Sequence, residues 1–477
     1  MSLEASSIVH ASRHYEQAGL RPQAFRAARA AAQEASRISA RHEAYELYRR
    51  AIDMPGDLPV AEQAVLHDEF GGVTAAIERN DDSVAATARA RDLYLEAGQP
   101  LDAARMLIWM SMQVGRGGGP HGDIQALTDQ ALGEIADQPA SPEREGLRAF
   151  LLSVMAGDRL FASDLREARA DALAARELAQ TIGGLETILA ADLALARIDI
   201  VDGRFETGLR DGMRAARDAR DAGFESVGVT GYRNLAMMAA RVLDHRSAEI
   251  AIREGLEYAD SIEQSHCRQM MSTTTAILDW GAGRWDAADE RARQELVERG
   301  CRRGVLGSLD VIGLVALGRG RLEEARRWLD ESLASGRRIG EVQMILTPLW
   351  ALAEADLLGG DPDLAIARCE EGLEIALPSG ERALLIPFVV TGTRAYLAAR
   401  RPDDAERWVA RVRIERPGGT WWPARHSVTP TVSSAWRRGP SQRRARPWSV
   451  RCAAGTSASG SGRPPGLAST SPAASCA

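Results

Sequence analysis

Few stretches of this sequence have residue types and spacings that could do chemistry. The segment GRGGGPHGD (115–123) has the glycine content of a phosphate cradle, in which backbone N–H groups wrap an anion. Such a loop also needs a lysine on the β- and γ-phosphates, and all 59 basic residues of the chain are arginine. The segment therefore reads as a connection between helices. His10 and His14 are spaced i, i+4, as two metal ligands on one helix face would be, but no third ligand stands at a matching distance. In SHC (265–267) the His and Cys are adjacent, so on a helix they point about 100° apart, out of mutual hydrogen-bond reach. The five cysteines, Cys267, Cys301, Cys369, Cys452 and Cys476, form no CxxC pair or metal-ligand cluster, and read as free thiols in a reducing compartment. Trp280, Trp285, Trp328, Trp350 and Trp408 resemble an aromatic stripe. Trp328 and Trp408 recur eight residues after equivalent turns, which argues for packing between helices. No catalytic, cofactor-binding or metal-ligating residue is assigned, and the expectation is a non-enzyme that needs no cofactor.

The elements that would carry a function must come from the rest of the chain. Its 477 residues are 45% hydrophobic but only 5% aromatic, and Ala, Leu, Arg and Glu dominate, which is a helix-forming alphabet. Net charge is −7 overall; the eight arginines beyond residue 416, with no acid among them, leave −15 for residues 1–416. An acidic body of this kind is a poor nucleic-acid binder, since phosphate contacts need clustered cations. The N-terminal residues show no basic segment followed by an apolar one, and the longest apolar run, ALLIPFVV (383–390), is too short to span a bilayer. A cytoplasmic protein with no membrane partner is expected.

Internal similarity organises almost all of the remaining sequence. Segments such as SARHEAYELYRRA, GRFETGLRDGMRAA, GRWDAADERARQEL, GRLEEARRWLDESL and RRPDDAERWVARV share a turn residue followed, five places on, by a small residue in a charged amphipathic helix. Turn residues are placed at Ser39, Asn80, His121, Ser163, Gly203, His245, Gly283, Gly320, Gly360 and Arg400, at gaps of 37 to 42 residues. The residues five places on are Ala44, Ala85, Ala126, Ala168, Gly208, Ile250, Ala288, Ala325, Ala365 and Ala405. Two antiparallel helices and two short turns fill about 40 residues. A small residue early in the second helix lets the backbones approach, and glycine supplies the positive φ that ends the first. The intervening segments, LDVIGLVALGRG and LTPLWALAEADLLGG, are apolar nearly all round, as expected of helices packed on both sides. One such pair cannot bury its apolar surface; a stack can, and it coils into a superhelix with a concave face.

This grammar resembles that of tetratricopeptide-like repeats with a lengthened period. The stretch from ASRHYEQAG through AFRAARAAAQEASRISARHEAYELYRRAIDMPGDLP to AEQAVLHDEF resembles the repeat region of large ATP-binding LuxR-type transcriptional regulators, over about residues 8–412. In that family a phosphate-loop ATPase precedes the array and a DNA-binding helix-turn-helix follows it. Neither motif is legible here, so no ATP-binding or DNA-reading residue is carried over. The resemblance implies a segment that senses a ligand or docks a partner. A free-standing tetratricopeptide adaptor and the helical array of a nucleotide-cyclase signalling protein are the competing classes.

The end of the chain departs from this pattern. TWWPARHSVTPTVSSAWRRGPSQRRARPW (420–448) alternates Arg and Trp, as a nucleic-acid tail does, and has the Pro and Ser content of a disordered linker. Shifting the reading frame by one base turns 426–440 into LGDADGLVRLAAGA, for one choice of synonymous codons. That string has the shape of the repeat and falls where the next unit is due. Residues 417–477 are thus expected to be a disordered, frame-shifted tail, and residues 1–416 an all-α superhelical array of antiparallel helix pairs, a tetratricopeptide-like α-solenoid. A protein partner or small-molecule inducer is expected on its concave face, with no direct nucleic-acid binding.

Overall fold

The computed structural model describes Ser12 and residues 14–53, 58–162, 164–242, 244–298, 302–379, 382–412, 415–416 and 419–420. From Arg21 to Val412 the described chain is a succession of helices taken in antiparallel pairs. The first helices of the pairs are α1 (Arg21–Arg37), α3 (Val60–Ala76), α5 (Pro100–Arg116), α7 (Pro142–Phe161), α9 (Leu185–Val201), α11 (Glu225–Arg241), α13 (Ser265–Gly281), α15 (Arg302–Gly318), α17 (Val342–Leu358) and α19 (Arg382–Ala398). The second helices are α2 (Arg41–Ile52), α4 (Asn80–Glu96), α6 (His121–Ala136), α8 (Leu165–Ile182), α10 (Phe205–Asp221), α12 (His245–Ser261), α14 (Trp285–Glu298), α16 (Leu322–Ile339), α18 (Pro362–Ser379) and α20 (Pro402–Val412). The protein is an all-α, tetratricopeptide-like superhelical array. By contact the chain divides into two units, Met1–Glu415 and Arg416–Ala477, and the array belongs to the first. The frame-shifted tail expected over 417–477 lies outside the described residues, apart from the two-residue strand Gly419–Thr420.

The close approach within each pair is made four residues after the N-cap of the second helix. Ala44, Ala168, Ala248, Ala288, Ala325, Ala365 and Ala405 occupy this place and are all buried. Gly208 occupies it in α10, where a Cβ would stand 2.6 Å from the Ala196 carbonyl and 2.7 Å from Ile200 Cγ1. In three pairs the sequence register was two residues late. Asn80, His121 and His245 are the first residues of their helices rather than turn residues. The buried residues there are Ser83, Ile124 and Ala248, whereas Ala85 and Ala126 are exposed and Ile250 is half-buried. In sequence, a polar residue that heads a helix resembles the polar turn before it.

Which helices face inward follows from their contacts. Successive odd-numbered helices from α5 to α19 pack directly on one another. Successive even-numbered helices stand further apart and are bridged by long side chains: Arg91 to Glu134, Arg217 to Glu254, Arg293 to Glu324, and Arg411 to Glu370. The odd helices are thus the inner wall of the superhelix and the even ones its outer layer. Burial agrees with this, since no residue of α5 or α11 is exposed, whereas α10 exposes Glu206, Arg210, Arg214, Arg217 and Asp218.

Candidate binding surface

In a solenoid each repeat normally touches only its neighbours. Here the first two pairs also touch the sixth and seventh. Ser39 Oγ and the Arg41 guanidinium both donate to the Glu225 carboxylate, across 186 and 184 residues of chain. The backbone N–H of His42 donates to Glu263 Oε2 at 3.0 Å. Glu78 Oε1 lies 3.1 Å from His266 Nδ1. These contacts form a seam: the α1–α2 and α3–α4 turns of one superhelical turn meet the α12–α13 turn and the starts of α11 and α13 of the next. One turn therefore takes five pairs.

Five inner helices per turn leave little room inside. At an axial spacing of roughly 9 Å they make a ring about 14 Å across between axes. Helix bodies of about 10 Å then leave a lumen only a few ångströms wide. Polar groups of the inner helices are satisfied within the wall itself, by the neighbouring helix or by the next residue of the same helix. Gln113 Nε2 donates to Ser83 Oγ at 2.8 Å and to Thr87 Oγ1 at 2.7 Å, and Arg233 donates to Asn234 Oδ1 at 2.9 Å. Further along, Trp350 Nε1 donates to Thr391 Oγ1 at 2.9 Å, and Arg394 donates to Glu354 at 2.6 Å.

The seam is written into the backbone as well. Turns that need positive φ are occupied by glycine at Gly98, Gly203, Gly223, Gly283, Gly320, Gly340 and Gly360, among others. Among the described residues only four non-glycine residues adopt it: Ser39, Glu78, Glu263 and Arg400. Three of these four are the residues whose side chains make the seam. A left-handed conformation costs a residue with a Cβ about 1 kcal/mol or more. At these turns a polar side chain that reaches the next superhelical turn stands where glycine would be unstrained.

Among the described residues His266 is the most perturbed histidine. It is 2% exposed, and burial pushes its pKa down to about 4. Glu78 opposes that shift, while Arg233 and Arg116 reinforce it. The imidazole and carboxylate approach to ion-pair distance without hydrogen-bond alignment, so neither Glu78 oxygen nor His266 Nδ1 has a hydrogen-bond partner. His266 is thus a neutral ring buried beside a carboxylate. It faces Glu78, while Cys267 sits in the apolar cluster with Met271, Tyr232 and Ala251. The two side chains of SHC serve different environments.

The other stretches marked in the sequence are placed as follows. Residues 115–123 run from the last turn of α5 into α6 through Gly118, whose φ is +68°. His14 is exposed, and His10 lies outside the described residues. Trp408 is buried against Tyr396, Trp280 meets Trp350 edge-on at 6.4 Å, and Trp285 and Trp328 pack against the cluster of Ala276, Ala288 and Val311. Among the described residues no three His, Cys, Asp or Glu side chains are grouped to hold a metal, and no helix is long and apolar enough to cross a membrane.

Two buried carboxylates gave no sequence signal. Asp356 is held between the guanidinium groups of Arg326 and Arg368, both on the outer layer. Asp310 is buried near Ser332, and burial raises its pKa to about 7. Both lie in apolar-looking helices, where a lone Asp reads as a solvated position.

No family model matches the chain, and no curated protein matches it. Solved structures are similar in the arrangement of their helices. A Rap protein complexed with competence and sporulation factor is 11% identical over 74% of this chain and 100% of its own, with a TM-score of 0.46. NprR in complex with its cognate peptide is 14% identical over 67% of this chain and 89% of its own, with a TM-score of 0.49. A signal-transduction ATPase with a tetratricopeptide repeat sensor, from Pyrococcus horikoshii, is 13% identical over 72% of this chain and 55% of its own, with a TM-score of 0.40.

Proposed function

We propose that this chain is a non-catalytic binding scaffold whose inner wall takes a protein segment or small-molecule inducer, in the role of the sensor or docking segment of a LuxR-type transcriptional regulator. The observation that carries the reading is the closed superhelical turn. Its inner helices carry polar groups held back from bulk water, such as Gln113, Arg233 and Asn234. Enclosure of that kind suits capture of a small or extended ligand, because the buried polar groups are already oriented. The regulator assignment rests on the sequence resemblance.

The test has two parts. The full chain is panned against random decapeptides and a metabolite extract, and hits are scored by the rise in thermal midpoint that ligation produces. Binding lost on substitution of Arg233 or Gln113 by Ala supports the inner-wall site; hits indifferent to both place binding elsewhere. Sequencing the surrounding DNA decides the regulator role. An ATPase frame upstream and a helix-turn-helix frame downstream are expected, and an isolated gene points to an adaptor instead.

A further inference from the structure

We propose that the seam joining the α1–α2 and α3–α4 turns to the starts of α11 and α13 is a latch, which opens to widen the lumen and admit the ligand. The proposal rests on the reading of the inner wall as the binding face.

Three observations lead to it. First, the seam ties the first two pairs to the sixth and seventh, so the bore of that superhelical turn cannot widen while it holds. Second, none of the apolar clusters of the described residues spans the seam, whereas successive pairs share such clusters in addition to polar bridges like Arg217–Glu254. Successive pairs are joined by continuous apolar clusters, such as that of Leu209, Val229, Tyr232, Leu235, Ile252 and Met271. The seam is joined by a hydroxyl, a guanidinium, a backbone N–H, a histidine and three carboxylates. The contacts of Ser39, Arg41 and His42 with Glu225 and Glu263 are partly exposed and individually weak, and only the Glu78–His266 pair is buried, so the seam can part while the pairs stay folded. Third, Ser39, Glu78 and Glu263 place polar side chains at positive-φ turn positions that glycine fills at most other turns, so the seam contacts stand at positions with a backbone cost. A solenoid opens by small rotations summed over its repeats, so five pairs share the movement and none has to unfold.

The test uses the full chain. The variants Glu225→Gln and Glu263→Gln, singly and together, remove the seam carboxylates while keeping side-chain volume. Small-angle scattering in low and in high salt reads the radius of gyration, and far-UV circular dichroism confirms that helix content is unchanged. The expected result is a larger radius for the double variant than for the wild type in low salt, with the wild type approaching it in high salt. A Ser39→Cys/Glu225→Cys pair, oxidised, should hold the smaller radius at every salt concentration and, once reduced, expand toward the radius of the double variant, since it lacks the Glu225 carboxylate. Equal radii for wild type and double variant, with helix content intact, overturn the latch. If the double variant unfolds, the wild-type salt series and the oxidised pair decide in the same way. Decapeptide panning on the oxidised and reduced forms separates the two ideas: capture by neither removes the binding function, while scattering alone judges the latch.

Discussion

Glu78 and His266 stand one superhelical turn apart, and their side chains come within 3.1 Å. That approach closes the first five helix pairs around a narrow lumen and puts a neutral imidazole where protonation is costly. The pair also makes the state of the seam sensitive to pH.

The His266 ring has a pKa of about 4 in the closed state, against an ordinary value of 6.5. A base with a lowered folded pKa leaves the structure fully stable above pH 6.5 and weakens it as pH falls toward 4. The loss amounts to roughly 3 kcal/mol once pH is below 4. Glu78 from the α3–α4 turn, Arg116 from α5 and Arg233 from α11 face the ring and set this balance. Thermal midpoints measured from pH 7.5 to 4.5 should fall more steeply for the wild type than for His266→Gln. Parallel curves for the two proteins refute the assignment.

Asp310 works in the opposite direction. Its carboxyl is raised from 3.8 to about 7 by burial, with Ser332 opposing. An acid with a raised folded pKa gives its full stability below pH 3.8 and loses it as pH climbs through 7, by about 4 kcal/mol in all. Asp310→Asn should therefore raise the melting temperature at pH 8 and leave it little changed at pH 4. A variant that gains nothing at pH 8 shows that the carboxylate is satisfied there.

Gly208 tests the close approach within a pair. A Cβ at this position meets the Ala196 carbonyl at 2.6 Å, so Gly208→Ala should destabilise by roughly 1–3 kcal/mol through overpacking. Gly72, also helical, has nothing within 4 Å of where its Cβ would stand. Gly72→Ala should then stabilise by about 0.5–1 kcal/mol through helix propensity. Denaturant titration of both variants reads the contrast, and equal effects would remove the packing argument.

The tail beyond residue 416 is predicted to add nothing to the array. A chain ending at Arg416 should keep the thermal midpoint and helix content of the full one. Resequencing should find a single-base error between the codons of Val412 and Gly418, and correcting it should extend the array by another pair and raise the midpoint. An intact frame there defeats the idea.

The sequence by itself determined the helix pair, its period and the residue at its tightest point. Those depend on contacts within about 40 residues, and Gly203, Ala325 or Ala365 carry the signal in their own identity. It failed by two residues at Asn80, His121 and His245, where the helix begins on a polar residue; the turns before Asn80 and His245 have no glycine, and before His121 the positive-φ Gly118 stands one place further upstream than usual. One of those failures, at the turn holding Glu78, is itself informative, since the residue that stands where most turns have glycine is one that reaches the seam. Only the tertiary structure decided that five pairs complete a turn, that the odd helices form the inner wall, and that Ser39, Arg41, Glu78, Glu225, Glu263 and His266 meet. The physical reason is accumulation. A rotation too small to leave a mark in any one repeat is summed over five, and residues 186 positions apart are brought together by that sum.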